Sequence, residues 1–192
     1  MVKRSIHFAK GEYYHIYNRG AGRGDIFFEK SHYEYVLRQS KKYARKFAHS
    51  IISSCLLPNH YHFLIRQDDE IPISKFPLAI FGGYSRTLHY QYGKTGTIFE
   101  GRFKAKHVNT DDYLIQLCYY IHANPVRAGL VQRAEDWLYS DFLDWTLLRR
   151  NTKIDDTTIP AIIAGPESYQ RLFNLYLQEN KLPDRLDYLE DF

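Results

Sequence analysis

The stretch Leu56-Leu57-Pro58-Asn59-His60-Tyr61-His62-Phe63-Leu64-Ile65 constrains this chain more than any other. Side chains alternate faces along a β-strand, so His60 and His62 share one face while Tyr61 and Phe63 turn to the other. Pro58-Asn59 reads as a tight turn, returning the His-Tyr-His strand antiparallel to an Ile- and Ser-rich strand over His49 to Leu57. A buried polar group without a partner costs roughly 1–3 kcal/mol, so two imidazoles inside an apolar run call for something polar above them. A divalent metal would serve. Side chains or water would serve as well, and the pair alone does not choose between them.

A chain of 192 residues can bury a sizeable core and is read as one domain with an appendage. The net charge of +4 hides a split. Residues 1–50 carry eleven Lys/Arg against four Asp/Glu, whereas residues 131–192 carry seven against twelve. The basic first half suits a phosphate-bearing partner, with a solvated face as the plain alternative. Aromatics reach 16%, including 17 tyrosines, which suits stacking on bases as well as core packing. Cys55 and Cys118 lack metal-ligand spacing and read as small buried hydrophobes of a reducing compartment. The segment Met1 to His7 lacks the apolar core of a signal peptide, and no run approaches the roughly 20 apolar residues that span a bilayer. The expectation is a soluble, cytoplasmic protein with no membrane partner.

Glu12 to Asn18 alternates like a strand and stops at Gly20, Gly22 and Gly24, which interleave with Arg19 and Arg23. The result is a basic loop able to approach a phosphate backbone, without the spacing of a Walker or dinucleotide loop. Ser31 is the expected cap of a helix to about Phe47, whose Arg38, Lys41, Lys42, Arg45 and Lys46 form a charged face. A second helix is expected from about Ile73 to Tyr92, kinked at Gly82-Gly83. Ile98 to Val108 reads as a basic turn entering a strand. Asp111 or Thr110 caps a third helix, from Tyr113 to about His122, which is expected to stop before Asn124-Pro125. The order β-α-β-β-α-β-α predicts an α+β fold: a ferredoxin-like, split βαβ antiparallel sheet with helices on it. Trp137, Tyr139, Phe142 and Trp145 are expected to cover an edge of the core, and a last amphipathic helix to run from about Ser168 to Glu179.

Tyr120 and Asn124 share a helix face if the third helix persists that far. A helix after the fourth strand can lie across the face that carries His60 and His62. Two imidazoles and an amide oxygen leave positions open on Mg²⁺ or Mn²⁺ for water and a phosphate oxygen. A tyrosine hydroxyl beside such a phosphodiester can attack phosphorus and form a phosphotyrosine.

Pro58-Asn59-His60-Tyr61-His62, then Gly101-Arg102-Phe103, then Tyr120-Ile121-His122-Ala123-Asn124-Pro125-Val126-Arg127-Ala128-Gly129-Leu130-Val131 together resemble the single-tyrosine HUH (IS200-like) transposases. Tyr14 to Gly20 and Trp137-Leu138-Tyr139-Ser140 resemble their REP-associated tyrosine transposase branch, whose members act on single-stranded, hairpin-forming repeats. The similarity covers roughly residues 12–145. It implies a catalytic domain over residues 1–145, with 146–192 as a helical extension packed on it. It also implies that His60, His62 and Asn124 hold the metal, Mg²⁺ or Mn²⁺, and that Tyr120 is the nucleophile leaving a 5′-phosphotyrosine and a free 3′-hydroxyl. Arg19, Arg23, Arg102 and Lys104 become candidates for strand binding, and Arg127 for contacting DNA or bracing the loop after the helix. Relatives act as monomers or homodimers.

Two positions depart from the pattern. Tyr119 puts a second phenol beside Tyr120, but adjacent helix positions lie about 100° apart and cannot face the same point. Tyr61 replaces the usual aliphatic residue between the histidines and faces the core. Three functions follow: a DNA nickase and strand transferase, a hairpin-binding protein that does not cut, and an RRM-like RNA binder. The last lacks stacking aromatics after Gly101-Arg102-Phe103, where Lys104, Ala105, Lys106 and His107 follow.

Overall fold

The computed structural model describes residues 7–93, 96–147, 165–179, 182–190 and 192. Met1 to Ile6 and residues 148–164, at the expected junction of domain and extension, lie outside them. Four strands, β1 (Tyr13–Arg19), β2 (His49–Leu57), β3 (His60–Gln67) and β4 (Lys104–Val108), form one sheet in the order β2-β3-β1-β4. Every neighbouring pair is antiparallel. With α1 (Lys30–Lys46), α2 (Lys75–Tyr92) and α3 (Asp111–Arg127) in chain order, this is the split βαβ arrangement the sequence predicts.

Strand alternation sorts the side chains into two cores. Tyr14, Ile16, Tyr61, Phe63 and Ile65 pack with Val36 of α1 and Ile80, Phe81 and Leu88 of α2. On the other face Tyr17, Cys55, Leu57 and Leu64 pack with Leu114, Leu117, Cys118 and Ile121 of α3. That layer is completed by α4 (Phe142–Trp145) and α5 (Pro166–Gln178), which contribute Phe142, Trp145, Tyr169 and Phe173. A strand covered on both faces needs apolar residues at every position. All of His60 to Ile65 is buried accordingly, and the two histidines are the polar exceptions. Cys55 and Cys118 are free thiols in the second core, as expected.

The aromatic segment after α3 closes the outer edge of the sheet. Trp137 Nε1 donates to the Leu56 carbonyl (2.9 Å), Leu56 N to the Tyr139 carbonyl (3.0 Å) and Trp145 Nε1 to the Ile52 carbonyl (3.1 Å). These bonds occupy the unpaired backbone groups of β2 that would otherwise invite another strand.

Two element boundaries and one expected kink differ from expectation. Glu29, extended at φ −152° and ψ 163°, precedes α1, so Ser31 falls inside the first turn and does not cap it. The helix α2 runs unbroken through Gly82 and Gly83; a Cβ at Gly83 would stand 3.1 Å from Tyr35 Oη, so this glycine serves close packing on α1 instead of a kink. Thr110 caps α3 by accepting from Tyr113 N (3.2 Å), but the helix continues through Pro125 to Arg127. Pro125 removes one N–H, and the last turn is closed beyond it. Ala128 N reaches the Asn124 carbonyl (2.8 Å) and Leu130 N the Pro125 carbonyl (3.0 Å), with Gly129 at φ +68°. Asn124 therefore stays in helical register with Tyr120.

Candidate active site

Register brings the site together. His62 lies between Cys55 and Tyr17, and His60 between Leu57 and Arg19, on adjacent strands. The α3 layer sets Tyr120 above them, its ring edge-on to His62 with centroids 5.4 Å apart. Asn124, one turn later, has Oδ1 3.3 Å from His60 Nε2 while its Nδ2 donates to the Tyr120 carbonyl (2.8 Å). That second bond turns the amide oxygen towards the histidines. Tyr119 points elsewhere, packing on Tyr169 (5.1 Å) and Tyr176 (5.6 Å) of α5.

Burial sets the protonation states. It lowers the His60 pKa to about 4, against the Asn124 amide oxygen, which would accept from the protonated ring and so raises it, and with the Arg19 charge lowering it further. His62 is driven well below the ordinary histidine range by burial, then by His60 and His15. Both rings are neutral at pH 7, the form in which imidazole binds metals. Burial pushes the Tyr120 phenol up, and the Asn124 hydrogen bond and Arg127 charge pull it back.

The donors fit a cation. His60 Nδ1 lies 2.6 Å from Asn59 Oδ1, an acceptor only, so the single proton of the neutral ring sits there. The lone pair of His60 Nε2 then faces the Asn124 oxygen, and His62 Nε2 is buried without a partner among the described residues. Three unshared lone pairs in one place are what a divalent ion would satisfy, and two imidazoles with an amide oxygen suit Mg²⁺ or Mn²⁺. No group of three His, Cys, Asp or Glu able to hold a metal occurs among the described residues, since the third donor here is an amide.

The candidate DNA contacts divide into two groups. Arg19 pairs with Glu100, Nη2 reaching Oε1 at 3.0 Å, beside the His60 end of the sheet. The loop carrying Arg23 is fastened to the Pro58-Asn59 turn: Gly20 N donates to the Asn59 carbonyl (2.8 Å) and Asn59 Nδ2 to the Arg23 carbonyl (3.2 Å). A Cβ at Gly20 would lie 1.9 Å from the Gly24 carbonyl oxygen, so only glycine allows this loop to close. Lys104 on β4 lies on the histidine side, its Nζ 6.0 Å from the centre of the Tyr17 ring. Arg102 is exposed on the wall of an aromatic cleft with Phe81, Phe99 and Phe103, away from the histidines. Arg127 donates from Nη1 to Tyr176 Oη (3.1 Å) and stacks on that ring, bracing α5 against the end of α3. The basic face of α1 is exposed on the layer opposite α3.

Sequence reasoning missed three residues that surround the pair. His15 of β1, fully buried, sets Nε2 3.0 Å from His62 Nδ1. Its Nδ1 lies 2.8 Å from Tyr188 Oη, which accepts from Tyr113 Oη at 3.0 Å. The Phe192 ring sits 5.5 Å from His60, 5.4 Å from His62 and 4.9 Å from Tyr17, with the Arg19 and Lys104 cations each 5.5 Å from its centre. His15 could have been found from its alternation with Tyr13 and Tyr17. Nothing local marks Tyr188 or Phe192.

A split βαβ sheet, a buried His-x-His pair and a tyrosine on the covering helix define a transposase-type fold, and residues 9–124 match the model of the family described as "Transposase IS200 like". The chain belongs to that family. It is 28% identical over 106 residues to a Haemophilus influenzae protein assigned as a REP-associated tyrosine transposase, a match spanning 47% of this chain and 57% of that one, so the matched stretch spans little over half of the relative's length. The fold also superposes on a REP-associated tyrosine transposase solved bound to a REP hairpin, with a TM-score of 0.60, 20% identity, and coverage of 83% of this chain and 96% of that one. Membership supports a DNA transposase-like function. No described helix is long and apolar enough to cross a membrane.

Proposed function

We propose that this protein is a metal-dependent, cytoplasmic nickase and strand transferase of single-stranded DNA, acting on hairpin-forming, REP-like repeats as a monomer or homodimer. The observation that carries the reading is the convergence of Tyr120 on the lone pairs of His60, His62 and Asn124. These three would hold Mg²⁺ or Mn²⁺, which when bound neutralises charge on the scissile phosphate. Tyr120 Oη supplies the attacking electron pair. Its bond to phosphorus forms as the bond to the 3′ oxygen breaks. The 5′ phosphate stays on Tyr120, and the 3′ oxygen leaves as a hydroxyl, taking up a proton equivalent to the one the phenol gave up. One phosphodiester replaces another, so a 3′-hydroxyl can reverse the step or join a different strand. Arg19, Arg23 and Lys104 are the cations best placed to guide the strand, Arg102 lies on a separate surface, and Arg127 supports the helix.

Binding without cutting is the second reading, favoured by the Phe192 ring that covers both histidines. A covalent-adduct assay with hairpin oligonucleotides and either metal decides between them. The expected result is a denaturation-resistant adduct that Tyr120→Phe abolishes while hairpin binding persists. An adduct that survives there and disappears in Tyr119→Phe would reassign the nucleophile. Binding with no adduct under either metal would establish the second reading.

A further inference from the structure

We infer that His15 is a positioning residue for His62, fixing which nitrogen of that ring faces the site; this rests on the metal reading above. His62 is fully buried, and its two nitrogens have different surroundings. Nδ1 meets His15 Nε2 at 3.0 Å, whereas Nε2 has no partner among the described residues and belongs to the donor set. A neutral imidazole has one N–H and one lone pair. Protons can run along the chain His62–His15–Tyr188 in two ways. If His15 donates from Nε2, His62 must carry its own proton on Nε2 and presents an N–H to the site. If His62 donates from Nδ1, its Nε2 lone pair is free, and His15 donates in turn from Nδ1 to Tyr188 Oη, 2.8 Å away. Only the second arrangement makes His62 a ligand, so a cation at Nε2 and a donor bond at Nδ1 select each other.

The geometry also holds the ring's direction. His15 and His62 are nearly coplanar, 19° apart with centroids at 5.1 Å, and Tyr17 stacks on His15 at 4.5 Å and 15°. The partners that orient metal-binding histidines are usually carboxylates, backbone carbonyls or water, and their loss commonly weakens metal binding about 10–100-fold. Here an imidazole fills the role, anchored on its far side by a tyrosine 173 residues further along the chain.

Mn²⁺ titration of the full chain, followed by the electron paramagnetic resonance of free Mn²⁺, tests the assignment without any turnover. In His15→Phe, affinity should fall about 10–100-fold, while His15→Gln, whose amide oxygen can accept from His62, should recover most of it. The ¹⁵N spectrum of the Mg²⁺-loaded wild type should show His62 protonated on Nδ1. Equal Mn²⁺ affinity in wild type and both variants would overturn the role of His15 and leave the metal reading intact, whereas a His62 protonated on Nε2 would overturn the role of His15 and remove His62 from the metal ligands as well. A wild type that binds no Mn²⁺ would overturn both. If His15→Phe does not fold, the wild-type spectrum still decides.

Discussion

Four imidazoles, those of His15, His49, His60 and His62, are held neutral by burial in this protein. His15 is brought down to about 3 and His60 to about 4. In the unfolded chain each would titrate near 6.5. As pH falls below that value the unfolded state takes up protons that the folded state refuses, so stability is lost. The contribution is fully present above pH 6.5 and declines towards pH 4, each histidine steepening the loss by up to about 1.4 kcal/mol per pH unit. Urea midpoints of the metal-free protein should be level between pH 8 and 7 and fall steadily from 6 to 4.5; a midpoint unchanged over the lower range would show these rings are not buried neutral. At this scale the site was half legible. His60 and His62 share a strand face by simple alternation, and Tyr120 and Asn124 a helix face by four-residue spacing. Alternation with Tyr13 and Tyr17 gives the face of His15, but setting it against His62 needed the β1–β3 register, which nothing local to either strand specifies.

The helix that carries Tyr120 is held by a second buried polar group, centred on His122. Its Nε2 lies 2.9 Å from Asp141 Oδ1 and 3.1 Å from Ser53 Oγ, and its Nδ1 2.6 Å from Tyr169 Oη. One residue of α3 is thereby tied to β2, to the turn before α4 and to α5. Ser53, His122 and Tyr169 are all inaccessible, so this Ser-His-Asp grouping anchors structure and meets no substrate. Replacing His122 by Leu keeps the volume roughly but strands the Tyr169 hydroxyl and leaves Asp141 Oδ1 only its bonds from Ser54 N (2.8 Å) and Ser53 Oγ (3.4 Å). A loss of about 2 kcal/mol is expected, since an abandoned buried group costs roughly 1–3 kcal/mol, and denaturant unfolding measures it. A change under 1 kcal/mol would mean the network adds nothing to the anchoring of α3. Sequence periodicity located α3 but ended it early, because a proline ordinarily marks a boundary. The closing bonds beyond Pro125 depend on Gly129 and on main-chain geometry that a hydrophobic pattern does not register.

The molecule as a whole places its last described segment across its own site. Residues 184–189 form a turn of 3₁₀ helix whose Leu186 and Leu189 enter the second core, and Phe192 then reaches the histidines. Lys106, Lys104 and Arg19 lie against the Tyr188 and Phe192 rings, on the face where the proposed function brings a DNA strand to Tyr120. The acidic end of the chain thus returns to the basic face with its aromatic residues. Folding back over this distance is a tertiary event with no local signature, which is why the cover was not foreseen. Ring–ring and cation–ring contacts are worth about 0.5–1 kcal/mol each at partly exposed positions. The several that Phe192 makes amount to about 2 kcal/mol, a factor of about 30 in the balance between covered and open site. Phe192→Ala leaves Tyr188 and its bond to His15 in place, so the site itself is preserved. Adduct formation on a hairpin oligonucleotide should then rise by up to about 30-fold at limiting DNA, with unfolding free energy lowered by up to the same ~2 kcal/mol that the lost contacts supplied. If the variant reacts no faster than wild type, Phe192 does not gate the site, and DNA reaches Tyr120 without displacing it.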